Sequence, residues 1–216
     1  MRQVASTHLV WDWNGTLLDD LPLVVSSTNM AFASVSAPAL TADAHRLAFR
    51  RPVAEFYAEV LGRALQDGEF GRLDKIFHDA YRLGLTGCGL TMDATAAMSS
   101  WTGSQSLLSM WFHDELVPEV ERRGLTSLLA RIDGLRGTLG GDLKAEHLAR
   151  HLAELGVPGS STVLIGDSVD DADAAASVGA RCVLYTGGFT DPARLHAVGV
   201  PVADSLVDAV RLASDI

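Results

Sequence analysis

The chain has 216 residues, 48% of them hydrophobic and 20% charged, with a net charge of −10. That length supports one substantial core, or one core with a small appended domain, and the composition excludes a disordered chain. The acidic balance argues against nucleic acid or an anionic membrane as partner, and two cysteines without a CxxC motif exclude a disulfide framework. The opening MRQVASTHLV lacks the apolar run of a signal peptide. No stretch approaches the roughly 18 uncharged apolar residues of a membrane span, so a cytoplasmic location is expected.

In chain order, HLVWDW (8–13) is an apolar run of strand length that stops at Asp12 and passes into the turn Asn14-Gly15-Thr16. Residues 20–87 then read as helices without a convincing strand. Val24, Val25, Thr28, Ala31, Phe32 and Val35 share one helical face, and Val53, Phe56, Tyr57, Val60 and Leu61 share another. Phe70, Leu73, Phe77, Ala80 and Tyr81 form a third. Beyond them SQSLLSM (104–110), STVLIGD (161–167) and RCVLYTG (181–187) read as strands buried on both faces, with ARIDGL (130–135) and VPVAD (200–204) weaker. Helices are expected between them. One starts at a possible Asp114 cap and stops at Gly124. Another covers DLKAEHLARHLAELG, and a third starts at Asp191-Pro192. Alternation of strand and helix predicts an α/β fold with a parallel, Rossmann-like sheet. The expected division is a core of residues 1–19 and 88–216 with a helical cap at 20–87.

In such a sheet ligands bind at the carboxyl ends of the strands. Asp12 and Asp167 each end a strand, and Asp170 and Asp171 follow closely. If the two strands are neighbours, the acids converge and need a cation; hard oxygen ligands point to Mg²⁺. Ser109, expected at the end of the second core strand, and Lys144, expected to open a helix, would bring a hydroxyl and an ammonium to a phosphoryl group. Asp12 could then attack phosphorus and form an aspartyl phosphate.

These residues resemble the haloacid dehalogenase superfamily. Asp12-Trp13-Asn14-Gly15-Thr16 is similar to its first motif, usually DxDxT, and Ser109 and Lys144 to its second and third. Gly166-Asp167-Ser168-Val169-Asp170-Asp171 is similar to its GDxxxD fourth motif. The helical insert is placed like the C1 cap of phosphoglycolate-phosphatase-like members. The resemblance implies Asp12 as nucleophile, and Mg²⁺ held by Asp12, Asp167 and the backbone carbonyl of Asn14. Asp171 would orient the metal's waters or the lysine, and Ser109 and Lys144 would grip phosphoryl oxygens. It implies a phosphatase acting on a small phosphorylated metabolite; the oligomeric state is left open. Thr16 of the first motif is a candidate for binding phosphate, although its hydroxyl reads first as bracing the loop. Arg50 and Arg51 of the cap are candidates for holding the substrate.

The chain departs from the pattern at Asn14, where the family's acid–base Asp is expected. Asparagine keeps the shape and can donate a hydrogen bond, but cannot shuttle a proton; His113 or a cap residue would have to replace it. The departure keeps two alternatives open. One is hydrolysis of carbon–halogen or carbon–phosphorus bonds, the latter needing a cap lysine, for which only Lys75 is available. The other is a noncatalytic binding module. Asp170 reads as a first-turn acid complementing a helix dipole. His147 and His151 read as a solvated helix face and not a zinc site.

Overall fold

The computed structural model describes residues 8–137 and 143–216. Asp142, where the third-motif helix is expected to begin, lies outside them. Six parallel strands form the main sheet in the order β5 (Ile132–Leu135), β4 (Gln105–Phe112), β1 (His8–Trp11), β6 (Thr162–Gly166), β7 (Arg181–Tyr185) and β8 (Val202–Ala203). β1 is central, with Leu9 opposite Gln105 on one side and Val163 on the other. Strand order reverses there, and the crevice outside its carboxyl end is the place for a ligand.

The strands are continuous apolar runs because both faces are covered. Leu9 and Trp11 face one cluster with Leu107, Ile165 and Val183, and Val10 faces the other with Leu108, Leu164 and Leu184. Helices α5 (Ala94–Ser100), α6 (His113–Arg122) and α10 (Leu206–Asp215) supply the first cluster, through Met98, Leu116 and Val210. The second takes Leu148 and Leu152 from α7 (Ala145–Leu155), Ala174 and Ala175 from α8 (Val169–Ser177) and Leu195 from α9 (Pro192–Ala197).

Four helices fill the segment after β1: α1 (Leu21–Ala33), α2 (Ala42–Ala48), α3 (Val53–Leu61) and α4 (Glu69–Gly84). Of the expected α1 face, Val24, Thr28, Ala31 and Phe32 are buried. Phe32, Phe56, Tyr57 and Tyr81 join the cluster that holds Trp11 and Trp111, so the helices and one face of the sheet share a core. The segment is also clasped to the loop after β7. Arg46 donates to the carbonyls of Gly188 and Gly187 at 2.9 and 3.1 Å, and Arg194 to that of Phe49 at 2.7 Å.

Several local expectations change. A two-stranded antiparallel ribbon, β2 (Leu18–Asp19) with β3 (Gly89–Leu90), closes the entrance and exit of the helical segment; two-residue strands leave no periodicity to read. β4 runs past Ser109 to Phe112, with an irregular register between Leu108 and Phe112, so Ser109 lies within the strand and not at its end. Helix α6 begins at His113, which puts Asp114 in its first turn and not at the cap. His151 is buried among hydrogen bonds and is not on a solvated face.

Candidate active site

Asp12 follows β1 and Asp167 follows β6. Because these strands pair, with the Asp12 amide donating to the Ile165 carbonyl at 2.9 Å, the two carboxylates come to one place. With Asp171 they form a buried trio whose ligand atoms lie within 4.8 Å of one another. Gly15 and Gly188 allow the close approach: a Cβ on either would fall 2.6 or 2.1 Å from the Asp167 Oδ2 atom, and Gly15 has φ +72°. The Asp167 carboxylate accepts from the Thr16 hydroxyl at 3.1 Å and from the Phe189 amide at 2.6 Å. Thr16 thus braces the acid itself.

Lys144, at the cap of α7, is buried. Its ammonium donates to Asp12 Oδ1 at 2.6 Å and also to Asp171, while its backbone amide donates to Asp170 at 3.1 Å. Asp170 therefore anchors the lysine's main chain besides sitting in the first turn of α8. Asp171 is shared between Lys144 and the capping box of that helix, where Ser168 donates from its amide at 3.0 Å and its hydroxyl at 2.6 Å. One of its oxygens orients the lysine and the other is held by Ser168.

Burial and crowding set the charge states. Burial lifts Asp12 to about 6, against the pull of Lys144. Asp167 is pushed well above the usual carboxylate range by burial and then by Asp12 and Asp171. For Asp171 burial opposes ionisation, but Lys144 and Ser168 outweigh it and hold the pKa low. Burial works against the Lys144 charge too, yet Asp12 and Asp171 keep the ammonium charged. Raised pKa values on Asp12 and Asp167 are the mark of carboxylates short of positive charge. Buried, converging oxygen ligands short of positive charge fit a small divalent cation.

Asn14 is engaged elsewhere. Its amide nitrogen donates to the Asp20 carboxylate and to the Tyr81 hydroxyl, both at 2.8 Å, and its carbonyl oxygen accepts from the Ser109 hydroxyl at 3.2 Å. Tyr81 in turn donates to Asp20 at 2.6 Å, and so does the Gly15 amide at 2.8 Å. Burial raises Asp20 to about 6. Both amide hydrogens of Asn14 are taken, so the side chain has none to offer a leaving group. The Ser109 hydroxyl hydrogen is likewise spent on Asn14. Sequence reasoning missed Asp20 and Tyr81; the paired acids of Leu18-Asp19-Asp20 after the turn are a visible signal, whereas Tyr81 is distant in sequence and reads as a core residue.

The cap arginines separate. Arg51 lines the cleft with Asp12, Lys144 and Asp167, its Nε 3.7 Å from Asp170. Arg50 turns away to Glu59 at 2.5 Å and does not line that cleft. His113 accepts from the Gly134 amide at 3.2 Å and meets Arg136 at the β4–β5 edge, outside the cleft. Lys75 is three-quarters exposed and paired with Asp79.

Comparison with known proteins agrees with this geometry. Residues 140–209, which include Lys144, Asp167 and Asp171, match the family model described as HAD-hydrolase-like. No curated protein matches the chain by sequence. Among solved structures, a predicted phosphatase from Clostridium acetobutylicum superposes with a TM-score of 0.85 at 15% identity, over 98% of this chain and 99% of that one. A hydrolase from Pseudomonas syringae gives 0.80 at 18%, over 97% and 99%. A predicted phosphoglycolate phosphatase from Haemophilus somnus gives 0.77 at 16%, over 99% and 100%. At these identities the likeness is one of fold.

Proposed function

We propose that this chain belongs to the haloacid dehalogenase superfamily, a reading supported by the family match over residues 140–209, and is a Mg²⁺-dependent phosphatase that works through an aspartyl phosphate on Asp12. The observation that carries the reading is the buried junction of Asp12, Asp167 and Asp171 with the Lys144 ammonium. Asp12, Asp167 and the backbone carbonyl of Asn14 would hold the cation. When bound, it supplies the positive charge these carboxylates and a phosphoryl group both lack.

Lys144 holds one oxygen of Asp12 and leaves the other for attack. A carboxylate oxygen of Asp12 bonds to phosphorus as the bond to the leaving oxygen breaks, and the leaving group departs with the electron pair. Lys144 and Arg51 supply positive charge beside the phosphoryl oxygens. Water then attacks the aspartyl phosphate, releasing phosphate and restoring Asp12. Neither step receives a proton relay from Asn14. The reading includes a small phosphorylated metabolite as partner, without nucleic acid or membrane, in the cytoplasm. The net charge of −10 supports this, and among the described residues no helix is long and apolar enough to cross a membrane.

Carbon–phosphorus cleavage lacks its lysine, because Lys75 faces solvent. The sequestered Asn14 favours one other reading, a binding module that keeps the fold without turnover. Phosphate release from a panel of phosphomonoesters with Mg²⁺, run beside Asp12→Asn, separates the two. Release by the parent alone supports the phosphatase; none from either supports the module.

A further inference from the structure

We propose that the substrate is an aryl phosphate whose ring carries a hydrogen-bonding substituent; this rests on the phosphatase reading. A cavity of about 90 Å³ lies between the helical segment and the sheet. It shares Asn14, Phe49, Arg51, Met110 and Phe189 with the Asp12 cleft, so these five residues form a doorway from the phosphoryl position into it. Its walls are largely aromatic: Phe49, Phe56, Tyr57, Phe77, Trp111 and Phe189. They already meet one another edge-on or tilted, as in Phe49 with Phe56 at 5.7 Å and Phe49 with Phe189 at 5.6 Å. A planar ring suits such walls.

The cavity is not simply a greasy pocket. His45, His78 and Trp111 line it and are at least nine-tenths buried, yet His45 Nδ1, both ring nitrogens of His78 and Trp111 Nε1 have no hydrogen-bond partner. Asp74 lies 3.2 Å from His78 Nε2, close enough for attraction but without hydrogen-bond geometry. Buried polar groups are normally satisfied. Several unsatisfied ones around one cavity are what a ligand bearing a hydroxyl, carbonyl or amide would complete.

Charge narrows the class. Among the lining residues the only Lys or Arg is Arg51, at the doorway and beside Asp170, while Asp74 stands in the wall. A leaving group that carried a carboxylate past Arg51 into the cavity would meet that acid, with no further Lys or Arg among the described lining residues to hold it. The chemistry of Asn14 points the same way. With both amide hydrogens consumed, nothing there protonates a departing alkoxide. An aryl oxide leaves as a stabilised anion. Asp12 forms the new oxygen–phosphorus bond, the aryl oxygen leaves with the electrons of the old one, and the oxide takes its proton from water. Hydrolysis of the aspartyl phosphate completes conversion of the aryl phosphate and water to a phenol and inorganic phosphate.

The test compares kcat/KM with Mg²⁺ for phenyl phosphate, 4-acetamidophenyl phosphate, benzyl phosphate, phosphoglycolate and acetyl phosphate. It adds calorimetric binding of 4-acetamidophenyl phosphate and phenyl phosphate to Asp12→Asn. The two aryl esters are expected to exceed benzyl phosphate and phosphoglycolate by at least about 100-fold, the range of a general-acid contribution. The acetamido compound is expected to be the better aryl ester and to bind the Asp12→Asn protein more tightly. His78→Leu should lower the acetamido-to-phenyl ratio for both binding and kcat/KM. A preference for phosphoglycolate or benzyl phosphate, or an acetamido-to-phenyl ratio unmoved by His78→Leu, overturns the inference and leaves the phosphatase reading standing. No turnover of any compound, acetyl phosphate included, overturns both.

Discussion

Strand β1 carries a polar cluster at each end, and only one of them is the candidate site. At its carboxyl end Asp12 meets Asp167, Asp171 and Lys144. At its amino end His8 begins a chain through the core. His8 Nε2 meets the Ser106 hydroxyl at 2.8 Å, Ser106 meets His151 Nε2 at 2.7 Å, and His151 Nδ1 meets Asp133 at 2.7 Å. These are the spacings of a nucleophile, base and acid. Yet Ser106 is wholly buried and each polar atom in the chain has a partner. Asp133 takes the proton-bearing Nδ1 of His151, so His151 Nε2 accepts from Ser106. Ser106 then accepts from His8 Nε2, and His8 Nδ1 accepts from Ser104. Neutral tautomers satisfy the whole chain. The carboxyl-end cluster has what this one lacks: carboxylates that crowd one another without enough positive charge. Hydrogen-bond distances alone do not identify an active site.

The comparison breaks most readily at Asp12. Asp12→Asn is expected to lower kcat/KM by at least about 10³-fold, as removal of a nucleophile does, while circular dichroism stays that of the parent. Retained turnover would remove Asp12 from the chemistry. Chelation follows: EDTA should abolish phosphate release and added Mg²⁺ restore it. Full activity in EDTA would leave the carboxylate trio without its cation.

Asn14 offers a sharper cut. Asn14→Asp alone would set two carboxylates against each other at the Asp20 contact, so the informative variant is Asn14→Asp with Asp20→Asn, which exchanges acid and amide within the network. It should raise turnover of alkyl phosphates by about 10-fold or more, within the usual contribution of a general acid. Unchanged or lower alkyl turnover would show a site tuned around asparagine.

At the amino end the effects are on stability. Ser106→Ala leaves ring nitrogens of His8 and His151 unpartnered and should cost about 1–3 kcal/mol in denaturant unfolding, with phosphate release retained well below the melting temperature. Loss of activity without loss of stability would promote this cluster to a site. The smallest effect is a pH dependence. Burial, and then His151, lower His8 to about 4 from its usual 6.5. As pH falls below 6.5 the unfolded chain takes up a proton that folded His8 refuses until about pH 4, so the stability due to neutral His8 declines over that window. The stability gap between the parent and His8→Asn should therefore narrow from pH 6.5 to 4; a constant gap would mean that His8 titrates as in the open chain.

Much of the carboxyl-end site is legible in the sequence because strand ends are. An apolar run that stops at an acid places that acid at the sheet edge, and two such runs in Asp12 and Asp167 suggest one location. Lys144 needs only a helix start. The two histidines of α7 mislead, since His147 and His151 share a spacing that says nothing about burial; His151 turns inward because Ser106 and Asp133 on neighbouring strands offer it partners. Arg50 and Arg51 are adjacent in the chain, and only the fold sends one to the cleft and the other to Glu59.

The amino-acid order alone determined the alternation of strands and helices, the long helical insertion and the acids at strand ends, because these follow from local periodicity and chain punctuation. Tertiary structure alone decided that Asn14 is spent on Asp20 and Tyr81, that Ser109 serves Asn14, and that aromatic side chains from α2, α3, α4, β4 and the loop after β7 enclose one cavity. Those contacts join residues far apart in sequence, and in the sequence a ring that lines a cavity has the same periodicity as a ring that fills a core.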